Sequence, residues 1–212
     1  LKNPKAHLQI EGINEEMVEK SPILWDPLTF LESCPSSDGA CSLIISSEDS
    51  VDSNQTPAWI LGTSVRSEPT MYVGRDVVNP IAGTECAKDV YHQAGILDPR
   101  KEIDCAEIYV PFSWYEPMWL ENLLLADIGK GWMMSENGDT SLEGSFPVNM
   151  SGGVLSSNPI GASGLIRFGE AAQQVRQKAG DYQVSNANIA LGHAFGGGAQ
   201  FFAMWIVASK KP

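Results

Sequence analysis

Residues 145–164 read SFPVNMSGGVLSSNPIGASG, and a second glycine-rich run, GHAFGGGAQFF, follows at residues 192–202. Each run carries one polar side chain that can take part in chemistry, Asn158 in the first and His193 in the second. Glycine adopts positive φ easily and lets a ligand or another backbone approach closely. Two such turns near each other in sequence are therefore a better site candidate than any single charged residue of the chain.

The composition of the 212 residues is that of a globular protein long enough to bury a core, with 43% hydrophobic and 19% charged residues. The formal net charge is −12, which argues against nucleic acid and anionic lipid as partners because both are themselves negative. No run approaches the roughly 18 apolar residues of a membrane span, and the chain opens without a signal peptide pattern. We therefore expect a cytoplasmic protein without membrane or nucleic acid partners.

The four cysteines, Cys34, Cys41, Cys86 and Cys105, form no CxxC pair, and the three histidines are scattered. This spacing does not match a zinc site, so we expect no metal and no covalently bound cofactor. Reduced and mostly buried thiols are the expected state. The chain opens with LKNPKAH at Leu1, which reads as mid-chain sequence, so we expect a fragment of a longer polypeptide.

Strand and helix patterns alternate along the chain, which predicts a layered α/β architecture with at least one sheet covered by helices. The predicted strands lie at residues 41–47 (CSLIISS), 58–67, 106–110, 187–190 and 200–208. The predicted helices lie at residues 14–20, 79–95, 117–128 and 162–179. The stretch HAFGGG is predicted to be the hairpin-like connection between the last two strands.

Four stretches resemble, in the right order, motifs from the C-terminal half of the thiolase family. SCPSSDGACSLIISS (33–47) resembles the serine-rich loop and strand SGxxDGAAAL, and IDCAEIYVPFS (103–113) resembles the strand that ends in NEAF or in the HDCF-like variant. FPVNMSGGVLSSNPIGASG (146–164) resembles NxNGGAxxxGHPxGASG, and GHAFGGGAQFF resembles the last glycine-rich loop, which carries CxGxG in many members. The HDCF-like variant is typical of the lipid-transfer-protein-like thiolases, and the chain also resembles the benzoylsuccinyl-CoA thiolases among them.

The resemblance implies an α/β thiolase fold with layers αβαβα, of which this chain supplies the C-terminal half. Residues 25–212 would be the thiolase C-terminal domain, and residues 1–24 the end of the family's loop region. Coenzyme A is implied as a substrate. The nucleophilic cysteine is expected outside this chain, since none of the four cysteines stands at a motif position.

Three catalytic candidates follow from the motif positions. His193 stands where relatives keep a cysteine acid/base or, in archaeal-type members, a histidine, and an imidazole can move a proton at a thiol or an α-carbon. Asn158 replaces the histidine of GHP; its amide can donate to a thioester oxyanion but cannot act as a base. Tyr109 takes the place of the NEAF asparagine or the HDCF histidine, and its hydroxyl could donate to a carbonyl. Each also has a structural interpretation, as a hairpin cap, a turn asparagine before Pro159 and a packed strand end.

The resemblance also suggests a binding surface for the thioester. Ser36 and Ser37 match the loop that touches the pantetheine arm of coenzyme A in relatives, although a plain Ser-Ser-Asp-Gly turn explains them as well. Gly153, Gly196 and Gly197 are predicted to leave room for a thioester and to offer backbone N–H groups to an oxyanion. The aromatic run at residues 112–119 either packs in the core or shapes a bulky acyl site.

Taken together, the motifs predict a thiolase-type acyltransferase subunit that cleaves a 3-oxoacyl-CoA with free coenzyme A, with a bulky or aromatic substrate such as benzoylsuccinyl-CoA. The alternatives are a retro-aldolase that acts on a 3-hydroxyacyl-CoA through tyrosine chemistry, and a non-catalytic acyl-CoA-binding scaffold. The expected partners are the acyl-CoA, a second thiolase-fold subunit in a homodimer and a small zinc-ribbon/OB-fold subunit.

Overall fold

The computed structural model describes residues 2–52 and 55–211. The strands are β1 (Ile23–Trp25), β2 (Leu28–Thr29), β3 (Trp59–Ser67), β4 (Cys105–Glu107), β5 (Ile189–Gly196) and β6 (Phe201–Ala208). The helices are α1 (Glu15–Glu19), α2 (Ile81–Ala94), α3 (Pro99–Glu102), α4 (Tyr115–Asn122), α5 (Gly131–Glu136), α6 (Gly153–Ser156) and α7 (Ser163–Val175). Short 3₁₀ turns occur at Phe30–Glu32, Glu48–Ser50 and Gly180–Tyr182.

A four-stranded sheet in the order β3-β6-β5-β4 forms the centre of the molecule, and β1 and β2 form a separate small hairpin. The β3–β6 and β5–β6 pairs are antiparallel, whereas β4 runs parallel to β5. Because successive side chains of a strand point to opposite faces, β6 divides its residues between two cores. Phe202 and Met204 pack with residues of α2 and α4, while Trp205 and Val207 pack towards α7. The predicted layered α/β architecture is thus observed.

Several predicted elements have their expected places. The strand at residues 58–67 is β3, and the helices predicted at 14–20, 79–95 and 162–179 are α1, α2 and α7. Gly95 ends α2 in the left-handed conformation, with φ 71°. The boundary predicted between residues 24 and 25 falls inside β1, and the domain assignment stays a prediction. No helix within residues 2–52 and 55–211 is long and apolar enough to cross a membrane.

The buried strand predicted at residues 41–47 is wrong. These residues are extended without joining a strand of the described chain, and Ile44 and Ile45 are 97% and 74% exposed. Their alternate side chains, Cys41 and Leu43, pack on α7 instead. A Cβ at Gly169 of that helix would lie 3.3 Å from Cys41 Sγ, so the small residue makes room for this segment on a helix face.

Two further predictions need correction. The helix predicted over 117–128 ends at Asn122. The chain has left the helical conformation by Leu124, whose φ is 61°. Leu123 and Leu125 are both buried. In a continuing helix, side chains two residues apart point to nearly opposite sides, so these two could not both face one core. The HAFGGG segment is not a connection throughout, because His193 lies inside β5, paired with Met204 of β6, and the turn itself comes after Gly196.

Candidate active site

The site lies between the end of β4 and the start of α7. Glu107 is the last residue of β4, and Tyr109 follows two residues later, about 6.6 Å further along an extended backbone. On α7 their partners are four residues apart, about 6 Å along the helix axis. Glu107 contacts Arg167 at 2.6 Å. The hydroxyls of Tyr109 and Ser163 both contact Asn158 Oδ1. The matching spacings let one pair anchor the helix while the other shapes the site.

Asn158 is the centre of a buried hydrogen-bond network. Its Oδ1 accepts from the hydroxyl of Tyr109 at 2.9 Å and from the hydroxyl of Ser163 at 2.7 Å. A carbonyl oxygen has two lone pairs, and the two hydroxyls occupy both when Ser163 donates its single proton here rather than to the Pro159 carbonyl 3.0 Å away. The Nδ2 donor group therefore faces the opposite way, where it contacts Cys34 Sγ at 3.1 Å. The arrangement presents an oriented donor whose rotation is blocked.

The serine-rich loop is held against this asparagine. The Asn158 backbone N–H donates to Ser37 Oγ at 2.7 Å, and Ser36 forms an isolated parallel bridge with Asn158. Cys34, from the same loop, is partly exposed and is a free thiol. The structure thus brings together four predicted site residues and adds a thiol that the motif comparison had set aside.

Tyr109 is held by its backbone as well as by its hydroxyl. Its carbonyl accepts from Trp119 Nε1 at 2.9 Å, and its ring packs edge-on against Phe195 with centroids 5.3 Å apart. Burial raises the pKa of the Tyr109 phenol, against the opposing effects of its hydrogen bonds with Ser163 and Asn158. The phenol is therefore neutral at physiological pH and keeps its proton available for donation.

His193 lies behind Tyr109 rather than beside Asn158. Its side chain is fully buried, with ring centroids 5.3 Å from Trp119 and 6.0 Å from Phe202. Nδ1 accepts a long hydrogen bond of 3.4 Å from the Tyr109 backbone N–H, and Nε2 has no partner among residues 2–52 and 55–211. Its assignment as an acid/base stays a prediction, and its hydrogen bond among the described residues is the one from the Tyr109 backbone.

We expect the His193 imidazole to stay neutral throughout the physiological range. Burial lowers its pKa to about 3, so the folded state binds fewer protons than the unfolded state between pH 3 and about pH 6.5. Because of this difference, the free energy of unfolding falls by about 1.4 kcal/mol for each pH unit as the pH falls through that window. In NMR spectra, the His193 ring resonances, assigned by loss in His193→Gln, should not move between pH 8 and pH 5. A titration with its midpoint near pH 6.5 would contradict the buried geometry.

The three glycines predicted to cradle a thioester occupy two different places. Gly153, with φ 59°, begins α6 and donates its N–H to Ser151 Oγ at 3.2 Å. Gly196 ends β5 and Gly197 begins the turn with φ 61°, directly after Phe195, whose ring contacts Tyr109. Their contact with a thioester stays a prediction.

The sequence comparison missed an anchor below the site. The Glu107 carboxylate accepts from the backbone N–H of Ser151 at 3.0 Å, from its hydroxyl at 2.7 Å, and from Arg167. Glu107 and Arg167 are each 2% exposed. Burial raises the pKa of Glu107, while the charge of Arg167 and the bonds from Ser151 oppose that rise. A lone carboxylate inside the apolar run CAEIYV was the signal that could have revealed this pair.

No group of three or more metal-ligating side chains is placed to hold a metal ion in the part of the chain that the structure describes. The Asn158 amide and the Tyr109 phenol of this site are hydrogen-bond donors. The thiol of Cys34 and the serines Ser36 and Ser37 lie beside Asn158.

Comparison with known proteins identifies the family of this chain. Residues 66–209 match the family described as thiolase C-terminal domain-like. The chain belongs to the thiolase family. Sterol carrier protein 2 of Rattus norvegicus is 33% identical over 212 residues, covering 96% of this chain and 38% of the relative. Benzoylsuccinyl-CoA thiolase subunit BbsB of Thauera aromatica is 31% identical over 202 residues, covering 93% of this chain and 52% of the relative.

A solved structure shares the fold of this chain over its whole length. The Ltp2-ChsH2(DUF35) aldolase superposes with a TM-score of 0.85 at 24% identity, covering all of this chain and 55% of its own. The thiolase C-terminal fold inferred from the motifs is thereby confirmed. The chain spans about 40–50% of the length of the two curated relatives, so the activity of the whole protein belongs to the proposal below.

Proposed function

We propose that this chain is the C-terminal half of an enzyme that cleaves a 3-oxoacyl-CoA with free coenzyme A. The observation that carries the proposal is the Asn158 carboxamide, whose oxygen accepts from two hydroxyls and whose nitrogen donates one N–H to Cys34 Sγ and has a second N–H for a substrate oxygen. A fixed donor aimed at a developing oxyanion stabilises acyl-transfer transition states without reorganising. The thiolase family membership supplies the substrate class to which such a donor is suited.

In the proposed reaction, a cysteine outside this chain attacks the 3-oxo carbonyl of the substrate. The bond between the α-carbon and that carbonyl breaks, the α-carbon takes a proton and leaves as the shortened acyl-CoA, and an acyl-enzyme remains. Free coenzyme A then attacks the acyl-enzyme through its thiol and releases the second acyl-CoA. The proton lost by the cysteine thiol balances the one gained by the α-carbon, and the coenzyme A thiol later returns a proton to the cysteine. Asn158 donates to the thioester oxygen as charge develops there, and the Tyr109 phenol keeps the amide in position by donating to its oxygen.

The same proposal includes the other expected partners, which are coenzyme A, a second thiolase-fold subunit and a small zinc-ribbon/OB-fold subunit. Ser36 and Ser37 lie against Asn158, where a pantetheine arm would pass if the thioester reached the amide. A homodimer and a small zinc-ribbon/OB-fold subunit complete the proposed assembly. The solved aldolase is named as a pair, Ltp2 with ChsH2(DUF35), which supports looking for an associated subunit here.

A retro-aldolase acting on a 3-hydroxyacyl-CoA is the second candidate. This candidate is supported by the neutral Tyr109 phenol, 2.9 Å from the Asn158 amide oxygen, which would donate its proton to the α-carbon and take up the substrate hydroxyl proton as a phenolate. In this reaction the bond between the α- and β-carbons breaks, the hydroxyl gives up its proton, and the α-carbon gains one. The products are a carbonyl compound and a shorter acyl-CoA, and no free coenzyme A is consumed.

The experiment that tests the proposal gives the full-length native protein a panel of 3-oxoacyl-CoA and 3-hydroxyacyl-CoA thioesters. Each is supplied with and without free coenzyme A, and products are identified by liquid chromatography and mass spectrometry. Cleavage of oxoacyl thioesters that requires free coenzyme A is expected. Cleavage of hydroxyacyl thioesters without it would support the aldolase instead, and turnover of neither would favour the non-catalytic scaffold.

A further inference from the structure

Three side chains contact the carboxamide of Asn158 from two sides. The hydroxyls of Tyr109 and Ser163 donate to its oxygen. Cys34 lies on the other side, where its Sγ accepts from Nδ2 at 3.1 Å. Because the sulfur is the acceptor in this contact, the thiol proton is not used by it, and Cys34 is partly exposed. Cys34 is therefore the ionisable side chain on the amide whose proton the network leaves uncommitted.

The position of Cys34 is set by its backbone as well as by the amide. Its N–H donates to the carbonyl of Pro111 at 2.8 Å, and the neighbouring Ser33 forms an isolated antiparallel bridge with Phe112. These contacts join the serine-rich loop to the segment that follows Tyr109. The sulfur is thus held in one place beside Asn158, as a group that takes part in chemistry must be.

The amide nitrogen also sets the distance between this thiol and a bound substrate. Nδ2 has two N–H groups about 120° apart, and Cys34 accepts from one of them. If a thioester oxygen accepts from the second at about 3 Å, that oxygen and Sγ lie about 5 Å apart. The α-carbon of a thioester is about 2.4 Å from its carbonyl oxygen. An α-carbon on the side of the sulfur therefore comes within about 3–4 Å of it, close enough for proton transfer.

Two other ionisable side chains near the network are less suited to this task. His193 is fully buried, and its Nδ1 accepts from the Tyr109 backbone. Glu107 is 2% exposed and is bound by Arg167 and by Ser151. Within the described part of the chain, neither imidazole nor carboxylate forms a hydrogen bond with Asn158, whereas the Cys34 sulfur does.

We infer that Cys34 is a further catalytic residue, which carries the proton between the attacking thiol, the α-carbon of the substrate and coenzyme A. The inference rests on the proposed function, since it assumes a thioester oxygen at Asn158. It assigns the acid/base step to a residue of this chain that contacts the oxyanion donor itself. The attacking cysteine remains the one proposed outside this chain.

The proton transfers of the proposed cycle balance through Cys34. The two thiols start with one proton between them, and when Cys34 holds it the attacking cysteine is a thiolate. The thiolate bonds to the 3-oxo carbonyl carbon, the bond from that carbon to the α-carbon breaks, and the α-carbon takes the Cys34 proton. Cys34, now a thiolate, removes the proton of the coenzyme A thiol, whose sulfur attacks the acyl-enzyme. The attacking cysteine leaves as a thiolate, so the starting state is restored.

The test follows hydrogen exchange at the α-carbon with the full-length native protein. Acetyl-CoA and succinyl-CoA are incubated with the protein in deuterium oxide, and mass spectrometry measures the deuterium taken up by their acyl groups. Cys34→Ser keeps an acceptor for the Asn158 amide but replaces the thiol by a much weaker acid. Cys41→Ser is the matched control, because Cys41 is also a partly exposed thiol and contacts the Leu165 carbonyl instead. Dissociation constants, thermal unfolding and turnover of the thioester panel are measured for each variant.

We expect Cys34→Ser to exchange α-hydrogens at least about 100-fold more slowly than the native protein. Its dissociation constants for both thioesters should stay within about threefold of native, and Cys41→Ser should match the native protein in exchange and binding. A sulfur that only holds the amide would be replaced by the serine oxygen without this split between exchange and binding. If Cys34→Ser does not fold, Cys34→Ala is judged by the same criteria.

Exchange by Cys34→Ser within about fivefold of native, or no exchange of either thioester by the native protein, would overturn the inference. Oxoacyl thioester cleavage that survives the loss of Cys34 would contradict the inference and leave the proposed function standing. Exchange that depends on Cys34, in a protein that cleaves no oxoacyl thioester, would contradict the proposed function alone.

Discussion

Tyr109→Phe is expected to lower kcat for thioester cleavage by about 100-fold or more while leaving the fold intact. The change removes one of the two hydroxyls that fix the Asn158 carboxamide and also removes the phenolic proton. With one lone pair of Oδ1 released, the amide can rotate, and its donor is no longer held towards the substrate. Steady-state kinetics on the substrate found in the thioester panel measure the loss.

The matched control for this change is Tyr182→Phe. Tyr182 also donates its hydroxyl to a side chain, Glu170 Oε2 at 2.8 Å, but it stands at the far end of α7 from Asn158. We expect its kcat to be close to that of the native protein. A Tyr109→Phe variant within about fivefold of native kcat would show that neither the amide orientation nor the phenolic proton matters for turnover.

Arg167→Met is expected to lower the free energy of unfolding by about 3–5 kcal/mol. The change leaves the carboxylate of Glu107 buried without its cation, which is the costly way to break a buried ion pair. It also releases α7 from β4, so Asn158 and Tyr109 should lose their alignment and activity should fall with stability. Denaturation of the full-length protein measures the first effect and turnover the second.

The loss in free energy of unfolding caused by Arg167→Met should also depend on pH. Burial already raises the pKa of Glu107, and removing Arg167 takes away a cause that opposes the rise. The folded state then binds more protons than the unfolded state from about pH 4.3 up to the folded pKa. Stability is therefore retained below this window and lost as the pH rises through it. The deficit of Arg167→Met relative to the native protein should be larger at pH 8 than at pH 5.

Two variants separate the buried pair from ordinary ion pairs. Arg66→Met breaks the Arg66–Asp89 contact, whose side chains are 50% and 30% exposed, and a much smaller loss is expected because solvent screens that pair. The double variant Glu107→Gln/Arg167→Met should recover part of the deficit, since no charge is then left buried. Equal losses for Arg167→Met and Arg66→Met would contradict the anchoring role of Glu107.

Much of the fold was predictable because its helices carry local signals. The apolar spacing that ends at Gly95 predicted α2, and the stretch predicted as a strand at residues 58–67 is β3. The strand predicted at residues 41–47 failed because its β-prone composition says nothing about whether a partner strand is within reach. In this structure Cys41 and Leu43 find a helix face at Gly169 instead of a sheet edge.

The candidate site was predictable only to the level of motif positions. Asn158 and Tyr109 stand at positions that resemble the family motifs, and the structure brings them to hydrogen-bonding distance. The burial of His193 was not predictable from a neighbouring glycine run, because strand pairing with β6 decides it. Likewise, the Glu107–Arg167 pair joins residues 60 positions apart, a contact that depends on how α7 crosses β4.

The most direct test of the oxyanion role proposed for Asn158 is the structure of the full-length protein with a bound, unreactive acyl-CoA analogue. We predict the thioester oxygen within hydrogen-bonding distance of Asn158 Nδ2, with Tyr109 still bonded to the amide oxygen. We also predict the pantetheine arm beside Ser36 and Ser37. A thioester bound elsewhere, with the Asn158 amide directed only at Cys34, would contradict the central claim that this carboxamide is the oxyanion donor.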